Sequence, residues 1–496
     1  MRKLYSLLYI SLIVLFAASS CSDKDIPIVE KPIEKPIEKP IEESNDNKHV
    51  NDWIYENMVT SYYWTNDIPK KPDFSLKPDL FFESLLSNKD RSKDGYRFSW
   101  IEENSDNSES SISATNSTDI GFDYIRVTHE NSNLEYFLVL YPKKGSDAYS
   151  KGVNRGRFIT AVNGKEITNN NSATILSGTE DKTLTMADFI YDTKTKEYNL
   201  TRGEDITIQI EKDFAEKPVY MDSVYTNFGD KKIGYMVYNF FATGETDDSH
   251  EYDELLMETL ARIKAKGATE MILDLRYNGG GAVSTAIALA SALVKDRSTK
   301  DVLAKAEYND LLQREYKENH YFIDKIKFGR KEIPVPALNL PRLYVLVSRY
   351  SASASEFIIN GLKPYMDVIL IGETTYGKNV GSWNISDKDD PKNNWSLQPI
   401  TVKFYNSEGK SDFSNGFTPD FGVDEFETLR LVEFGNTEDP LLSIAINQIT
   451  GNALQTRSLG TPKVATQPNM FEVKGSNSIM KDRRRFEMYD DVRNRE

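Results

Sequence analysis

Three short segments of the sequence carry residue types that could together perform covalent catalysis. A glycine-rich segment lies at 277–281 (YNGGG), a serine-rich segment at 350–356 (YSASASE) and a lysine-containing segment at 374–379 (TTYGKN). Glycine N–H groups can bind an anion, a serine hydroxyl can attack a carbonyl carbon, and a neutral lysine can accept the hydroxyl proton. The sequence therefore predicts a nucleophile, a base and oxyanion donors, provided that the fold brings the three segments together.

The four histidines do not support a Ser-His-Asp triad. His49 follows a proline-rich stretch, His129 lies in a strand-rich region, and His250 and His320 lie in polar stretches. The sequence also lacks the Gly-x-Ser-x-Gly pattern of a nucleophile elbow. A lysine is therefore the favoured base, and it must be neutral near pH 7, which burial away from water can achieve.

The elements around the three segments predict that they meet at one edge of a sheet. The apolar runs EMILDLRY (270–277), RLYVLVS (342–348) and VILIGE (368–373) are typical of buried strands, and each leads into one segment. Helical patterns such as EYDELLMETLARIKAKG separate them, so an α/β core is expected beyond about residue 217. In such folds, sites form where the strands end.

In this order, ILDLRYNGGG, VSRYSASASEFIINGL and GETTYGKNVG resemble peptidase family S41, the C-terminal processing and tricorn-like serine peptidases. KIGYMVYNFF at 232–241 and NGFTPDFGV at 415–423 also fit, so the resemblance covers roughly residues 217–450. It implies a catalytic core of the ClpP/crotonase-like α/β type. In this family the nucleophile is the middle serine of the serine motif and the base is a lysine 25 residues later, which implies Ser353 and Lys378 here.

The same resemblance implies further roles. The oxyanion donors would be the N–H of Ala354 and that of Gly280 or Gly281, and Thr375 would hydrogen-bond and orient the lysine amine. A glutamine often found four residues after the lysine is replaced by Ser382. This difference favours a Ser–Lys dyad over a triad.

A purely structural interpretation of the serine motif is also open. Ser353 and Glu356 match a helix capping box, in which the serine is the N-cap and the glutamate is the third helical residue. We expect Glu356 to be mainly a supporting, structural residue. Asp274 and Arg276 are expected to form a buried pair that supports the fold.

Two regions precede the α/β core. Residues 51–110 predict a small helical region followed by a polar loop, and residues 111–214 predict a β domain that resembles a PDZ module. GSDAYSKGVNRGRFITAVNGKEIT carries the PDZ-like helix and Asn-Gly hairpin, with Arg157 where an aspartate is usual. The loop at Gly121-Phe122 would capture a peptide terminus by strand addition. The alternative is an unrelated small β domain.

The N-terminus carries a targeting signal. Residues 1–20 have a basic start and a short apolar run, which indicates a signal peptide. Cys21 follows Ala-Ser-Ser, resembles a bacterial lipobox cysteine, and would be acylated; an ordinary signal peptide with a chance cysteine is the alternative. Prolines recur every four residues within the linker 21–50, which favours an extended spacer. We expect an outer-membrane lipoprotein that faces the periplasm or the cell surface.

Composition excludes several classes of protein. The formal net charge of −15 over 496 residues argues against nucleic-acid binding. Four histidines and one cysteine argue against a Cys/His metal centre, and neither a metal nor another cofactor is predicted.

Together these features predict a membrane-anchored serine endopeptidase that acts on polypeptides through a Ser–Lys dyad and an acyl-enzyme. A non-catalytic surface lipoprotein that binds peptides or glycans in the same groove is the alternative. The predicted order is signal peptide 1–20, lipidated cysteine and linker 21–50, helical region 51–110, PDZ-like domain 111–214, S41-type peptidase domain 215–450 and polar tail 451–496.

Overall fold

The computed structural model describes most of the chain after residue 45. The described residues are 46–103, 115–116, 118–129, 132–194, 197–246, 248–316, 319–387, 389–451, 471–475 and 488–489. The predicted signal peptide, Cys21 and most of the proline-rich linker lie outside these residues.

The N-terminal region is helical, as its apolar pattern predicts. Its elements are α1 Asp46–Ser61, a 3₁₀ turn Thr65–Asp67, α2 Pro78–Leu85 and strand β1 Trp100–Glu103. The first helix begins five residues before the predicted boundary, because residues 46–50 contain no proline or glycine to stop it. Pro78 occupies the first turn of α2, where its missing N–H costs nothing.

An antiparallel sheet follows. Its elements are β2 Thr115–Asn116, β3 Phe122–His129, β4 Glu135–Pro142, α3 Asp147–Ser150, β5 Phe158–Val162, β6 Lys165–Glu166, β7 Lys182–Asp192, β8 Glu197–Ile208 and β9 Phe214–Ala215. The strand order is β3-β4-β5-β7-β8, with β6 paired to β5. The predicted hairpin turn joins β5 and β6 through Asn163 and Gly164, both of which have positive φ, as a type I′ turn requires.

The remaining elements, with the exception of β25, form the mixed α/β core. They are β10 Val219–Phe228, β11 Lys231–Tyr238, α4 Glu251–Ala265, β12 Glu270–Asp274, β13 Gly281–Ala282, α5 Val283–Leu293, β14 Val302–Tyr308, a 3₁₀ turn Leu312–Arg314, β15 Asn319–Tyr321, β16 Lys325–Phe328, β17 Lys331–Pro334, β18 Arg342–Val347, α6 Ala354–Leu362, β19 Asp367–Gly372, β20 Val380–Ser382, β21 Ile385–Ser386, β22 Trp395–Gln398, β23 Ile400–Asn406, β24 Phe421–Gly422, α7 Pro440–Thr450, β25 Phe471–Gly475 and β26 Met488–Tyr489.

The central sheet of the core has the order β10-β11-β12-β18-β19-β24, and every pair after β10–β11 is parallel. Alternate residues of one strand face opposite sides: Met236 and Tyr238 belong to the apolar cluster that includes α4, α5 and α6, whereas Tyr235 and Val237 belong to the cluster that includes α7. Both faces are therefore covered by helices, which explains why the strands are nearly continuous apolar runs.

A second sheet carries strands next to the candidate site, in the order β13-β26-β20-β23-β14-β15. Strand β1 of the N-terminal region pairs with β22, so that region is joined to the core by main-chain hydrogen bonds. Two stretches within the predicted polar tail form strands instead: β25 pairs with β3 and β26 lies between β13 and β20. Alternating burial along β25 and the complete burial of Met488 account for this difference.

A buried charge network lies beneath the glycine-rich segment. Arg276 forms ion pairs with Asp274, Glu425 and Asp439, which confirms the predicted fold-supporting role of Asp274 and Arg276. Arg155 of the antiparallel domain also pairs with Glu425, so one network joins that domain to the core. Burial raises the pKa of Asp274, whereas the pKa of Asp439 is lowered because Arg276 and Arg155 outweigh its burial.

Candidate active site

Ser353 lies in the turn between β18 and α6, directly before the first helical residue, Ala354. Its backbone has φ 61° and ψ −114°, a region that residues with a side chain rarely adopt. Sharp strand-to-helix turns of this kind present the nucleophile of many hydrolases. Ser351 and Ser355 stand at the two positions where the usual motif has glycines, so the missing motif did not exclude the conformation.

The three serines of the motif have different partners. The Ser351 hydroxyl donates to the Leu275 carbonyl at 2.7 Å, and the Ser355 hydroxyl donates to the Asn278 carbonyl at 2.9 Å. These bonds fasten the turn to the glycine-rich segment, as expected of neighbours that shape it. The Ser353 Oγ is buried and has no hydrogen-bond partner among the described residues. The middle hydroxyl is therefore the one left available for reaction.

Glu356 joins the serine turn to the lysine segment. Its Oε2 accepts the N–H of Ser353 at 3.0 Å and the N–H of Lys378 at 2.8 Å. Its Oε1 accepts the Thr375 hydroxyl at 2.6 Å and the N–H of Gly377 at 2.8 Å. The predicted capping box of Ser353 and Glu356 is thus present, although only its glutamate side forms a full hydrogen bond. The same carboxylate also organises a loop 19 to 22 residues further along the chain.

The Glu356 carboxyl is fully buried, and this burial raises its pKa to about 7 against the lowering effect of its four hydrogen-bond donors. Four donors aimed at one carboxylate favour its ionised form, whereas removal from water opposes it. The group therefore titrates close to neutral pH, a property that sequence alone did not indicate.

Lys378 follows β19 in the third segment, and only 2% of it is exposed. Its Nζ lies 5.7 Å from the centre of the Phe98 ring, which comes from the N-terminal region. Phe98 also contacts the Tyr376 ring edge-on at a centroid distance of 6.4 Å. The lysine is thus enclosed between its own loop and the N-terminal region, which is far away in sequence and for which the sequence analysis predicts no function.

Thr375 has two partners in the same loop system. Its hydroxyl donates to Glu356 and accepts the N–H of Phe417 at 2.7 Å. These bonds position the segment that carries Lys378, and the orientation of the lysine amine by Thr375 stays a prediction.

The glycine-rich segment approaches the serine turn, and the N–H of one of its two predicted donors, Gly280, is engaged. The N–H of Gly280 donates to the Asn278 side chain at 2.9 Å, which corrects the expectation that it is free to hold an oxyanion. Gly281 pairs with Met488 and bridges to Phe241. Ala354, as the first residue of α6, has an N–H without an intrahelical partner and remains the predicted donor best placed to receive negative charge.

Asn278 is a residue that sequence reasoning missed. Its carbonyl accepts the N–H of Ala352 at 3.1 Å in addition to the Ser355 hydroxyl, and its amide donates to the Tyr238 carbonyl at 2.9 Å. It holds the glycine-rich segment against the serine turn. Its position between Tyr277 and Gly279 was the available signal.

The side chain of Gln398 contacts Ser382, the residue that stands where the family often has a glutamine. The Gln398 Nε2 of β22 donates to the Ser382 hydroxyl at 3.0 Å, and its Oε1 is buried with no hydrogen-bond partner among the described residues. The amide thus comes from a separate strand, 20 residues after Lys378, and no local spacing in the sequence predicts it.

The described residues contain neither a metal-binding cluster nor a membrane-spanning helix. Within those residues, no group of three or more His, Cys, Asp or Glu side chains is placed to hold a metal ion. Among the same residues, no helix is both long enough and apolar enough to cross a membrane.

The family models and the similar proteins all point to one peptidase family. The family model for peptidase family S41 matches residues 232–423, and the model for the S41 N-terminal domain matches residues 49–100. The carboxy-terminal processing protease CtpA of Bacillus subtilis is 26% identical over 369 residues, 74% of this chain and 66% of that protein. A CtpA-like protein of Staphylococcus aureus is 24% identical over 306 residues, 60% of this chain and 52% of that protein.

A solved structure shows the same fold. The crystal structure of a Bacteroides fragilis protein assigned to the S41 proteases matches with a TM-score of 0.69 and 29% identity, covering 81% of this chain and 97% of that one. The match to the Bacillus protein spans just under two thirds of that relative's length, and the Staphylococcus match about half.

Proposed function

Because the chain belongs to peptidase family S41, we propose that it is a serine endopeptidase that cleaves polypeptides with Ser353 as nucleophile and Lys378 as base. The main support for this proposal is that, of the three serine hydroxyls, only that of Ser353 lacks a hydrogen-bond partner among the described residues. Ser353 also lies in a strained turn, and hydrogen bonds to Glu356 connect this turn to the lysine loop. A strained, buried polar group without a partner is costly, and such groups are kept at functional sites.

The reaction proceeds in two halves. The Ser353 Oγ attacks the scissile carbonyl carbon while neutral Lys378 accepts its proton, and the N–H of Ala354 at the helix N-terminus stabilises the oxyanion. The tetrahedral intermediate collapses as the lysine gives that proton to the leaving amine, which produces an acyl-enzyme. Lys378 then deprotonates a water molecule, which releases the acid product and restores the serine.

Gln398 is proposed as a polar group that supports this site. Its side-chain oxygen has no partner among the described residues, and its amide is bonded to the residue four positions after the base. An acceptor at this place would stabilise the protonated lysine that forms during attack.

The other parts of the chain support a surface enzyme that captures extended peptides. We infer that the antiparallel domain is PDZ-like: a short helix, α3, precedes β5, and the Asn-Gly hairpin follows it. Gly121-Phe122 begins β3, so a peptide terminus would add beside that strand. Acylation of Cys21 and the proline-rich spacer would anchor the enzyme to the outer membrane, facing the periplasm or the cell surface.

The test compares the wild type with Ser353→Ala and Lys378→Ala on a denatured protein substrate. We expect hydrolysis by the wild type and a loss of at least about 1,000-fold in each variant, the scale seen when a nucleophile or its base is removed. Mass spectrometry of the intact protein after acid quench should show an acyl adduct on the wild type alone. Equal hydrolysis by all three proteins would contradict the mechanism, and binding of peptides without hydrolysis by any of them would favour the non-catalytic lipoprotein.

The lipid anchor needs its own measurement. The mass of the mature N-terminus should correspond to an acylated Cys21, and Cys21→Ala should release the protein from membranes. A mature chain that begins elsewhere would contradict the anchor without affecting the peptidase proposal.

A further inference from the structure

A strand near the C-terminus lies beside both catalytic loops. Strand β26, Met488–Tyr489, lies between β13 and β20 and is parallel to both. Strand β13 begins at the last glycine of the glycine-rich segment, and β20 begins two residues after Lys378. An extended peptide in this slot therefore lies between the strands that leave the oxyanion loop and the base loop.

The slot between β13 and β20 closely fits a polypeptide main chain. A methyl group built at Gly381 of β20 would lie 2.9 Å from the Met488 carbonyl oxygen, so the absence of a side chain lets the β26 backbone approach. The Met488 side chain is fully buried in the apolar cluster that contains Ala354, Val402 and Phe404. The slot thus accepts one extended chain and one apolar side chain.

The same C-terminal part of the chain also occupies the edge of the antiparallel sheet. Strand β25 pairs antiparallel with β3, the strand that begins after Gly121. The Phe471 ring contacts those of Tyr136 and Phe189 at centroid distances of 6.0 and 5.7 Å. Without β25, this edge of β3 would offer unpaired main-chain groups to a peptide.

We propose that the slot between β13 and β20 is a peptide-binding site for an extended chain with an apolar side chain at the Met488 position, and that the protein's own C-terminal segment occupies it in competition with substrate. This inference rests on the proposed function for its consequence, the inhibition of hydrolysis. Binding in the slot does not depend on catalysis. Two separate strand pairings, at the catalytic sheet and at the β3 edge, hold the same segment, which is how a tethered competitor would be retained.

The expected size of the effect follows from tethering. A segment attached to the enzyme through its own chain has an effective concentration of roughly 1 mM, so a segment with an intrinsic Kd of ~0.1 mM raises the apparent KM about tenfold. Release of the segment should lower KM by that factor and leave kcat unchanged, because competition acts only on the free enzyme.

The experiment frees the segment after folding. A specific protease site is placed between residues 452 and 470, and the folded protein is assayed at nanomolar concentration before and after the cut. We expect KM to fall about tenfold after the cut. Addition of a synthetic peptide of residues 471–496 should raise KM again, and the uncut Met488→Asp variant should show the same low KM as the cut protein. Met488→Leu, which keeps an apolar side chain of similar volume, should behave as wild type.

A binding measurement separates this inference from the proposed function. In a Ser353→Ala background, the fluorescent 471–496 peptide should bind the cut protein about tenfold more tightly than the uncut protein. Such binding without hydrolysis by any variant would contradict the peptidase proposal and leave the slot assignment standing. A cut that lowers kcat, or that leaves KM and peptide binding unchanged, would show that β26 is a structural strand of the sheet and would overturn the inference.

Discussion

Replacement of Glu356 by glutamine tests whether one buried carboxylate holds the proposed nucleophile, Ser353, and the proposed base, Lys378, in their relative positions. The carboxylate accepts four hydrogen bonds of 2.6–3.0 Å, from the hydroxyl of Thr375 and the N–H groups of Gly377, Lys378 and Ser353. Glutamine has the same shape but presents one NH₂ group. At the Oε1 position the NH₂ group would leave the Gly377 N–H without an acceptor, because the Thr375 hydroxyl can turn and accept. At the Oε2 position it would leave two donors without an acceptor, the N–H groups of Ser353 and Lys378.

The magnitude follows from these unsatisfied donors. Each buried donor without an acceptor costs about 1–3 kcal/mol, and part of the total is regained because the carboxylate no longer has to be removed from water. We expect the free energy of unfolding to fall by about 2 kcal/mol. If a similar amount is lost from the transition state, kcat falls about 30-fold.

The pH dependence gives a readout that loss of packing alone would not move. Burial raises the pKa of Glu356 to about 7 from 4.5, so the folded state binds this proton more tightly than the unfolded state. The stability that this group contributes is therefore fully present below about pH 4.5 and is lost as the pH rises to about 7. The ionised carboxylate, which accepts all four donors, should be the active form, so kcat of the wild type should rise through an inflection near pH 7.

The assay is urea denaturation and steady-state hydrolysis between pH 4.5 and 8. Glu356→Gln should lose both the inflection in kcat near neutral pH and the decline in stability. Glu373→Gln is the matched control, because Glu373 pairs with Arg349 at the surface, where such pairs contribute little. If Glu356→Gln keeps the wild-type kcat, unfolding free energy and pH profile, the carboxylate does not organise the site.

Three further predictions concern strain, close approach and buried charge. Ser353→Gly should be about 1 kcal/mol more stable to urea than Ser353→Ala, because only glycine adopts φ 61° and ψ −114° without strain; equal stability would argue against a strained turn. Gly377→Ala should reduce kcat at least about tenfold, since the new methyl group would lie 2.5 Å from a carbonyl oxygen, whereas Gly409→Ala, which also has positive φ but open space, should retain kcat. Arg276→Ala should lower the unfolding free energy by about 3–5 kcal/mol because three buried carboxylates each lose one ion-pair partner, against less than ~1 kcal/mol for the surface-paired Arg262→Ala.

The parts of the site that sequence predicts are those encoded within a few residues. The strand-to-helix turn, the N-cap position of Ser353 and the buried pair of Asp274 and Arg276 all follow from local pattern. The choice of the middle serine needed the family resemblance and the spacing to Lys378. The structure gives a physical reason for the same choice, because the hydroxyls of the two outer serines form hydrogen bonds that hold the turn in place.

The contacts that join the segments could not be predicted in the same way. Glu356 binds a loop 20 residues away, and Gln398 reaches Ser382 from a different strand. The Asn278 carbonyl accepts hydrogen bonds from Ala352 and Ser355 of the serine turn, which lie more than 70 residues further along the chain. Such contacts depend on the packing of one element against another, and neither residue type nor periodicity records it.

The N-terminal region packs with the α/β core as one unit, although about 130 residues separate the two segments of the chain that match the family models. Strand β1 pairs with β22, the Tyr63 N–H donates to the Ile400 carbonyl at 2.7 Å, and the Phe98 ring lies over Lys378. A lysine can serve as a base only where water does not stabilise its charge, so the enclosure of Lys378 requires both parts. It follows that residues 217–450 alone, which contain all of the residues predicted to react, would present the base to solvent. The sequence motif marks the atoms that we propose to react, and part of the enclosure that their proposed chemistry needs comes from a segment that precedes the antiparallel domain.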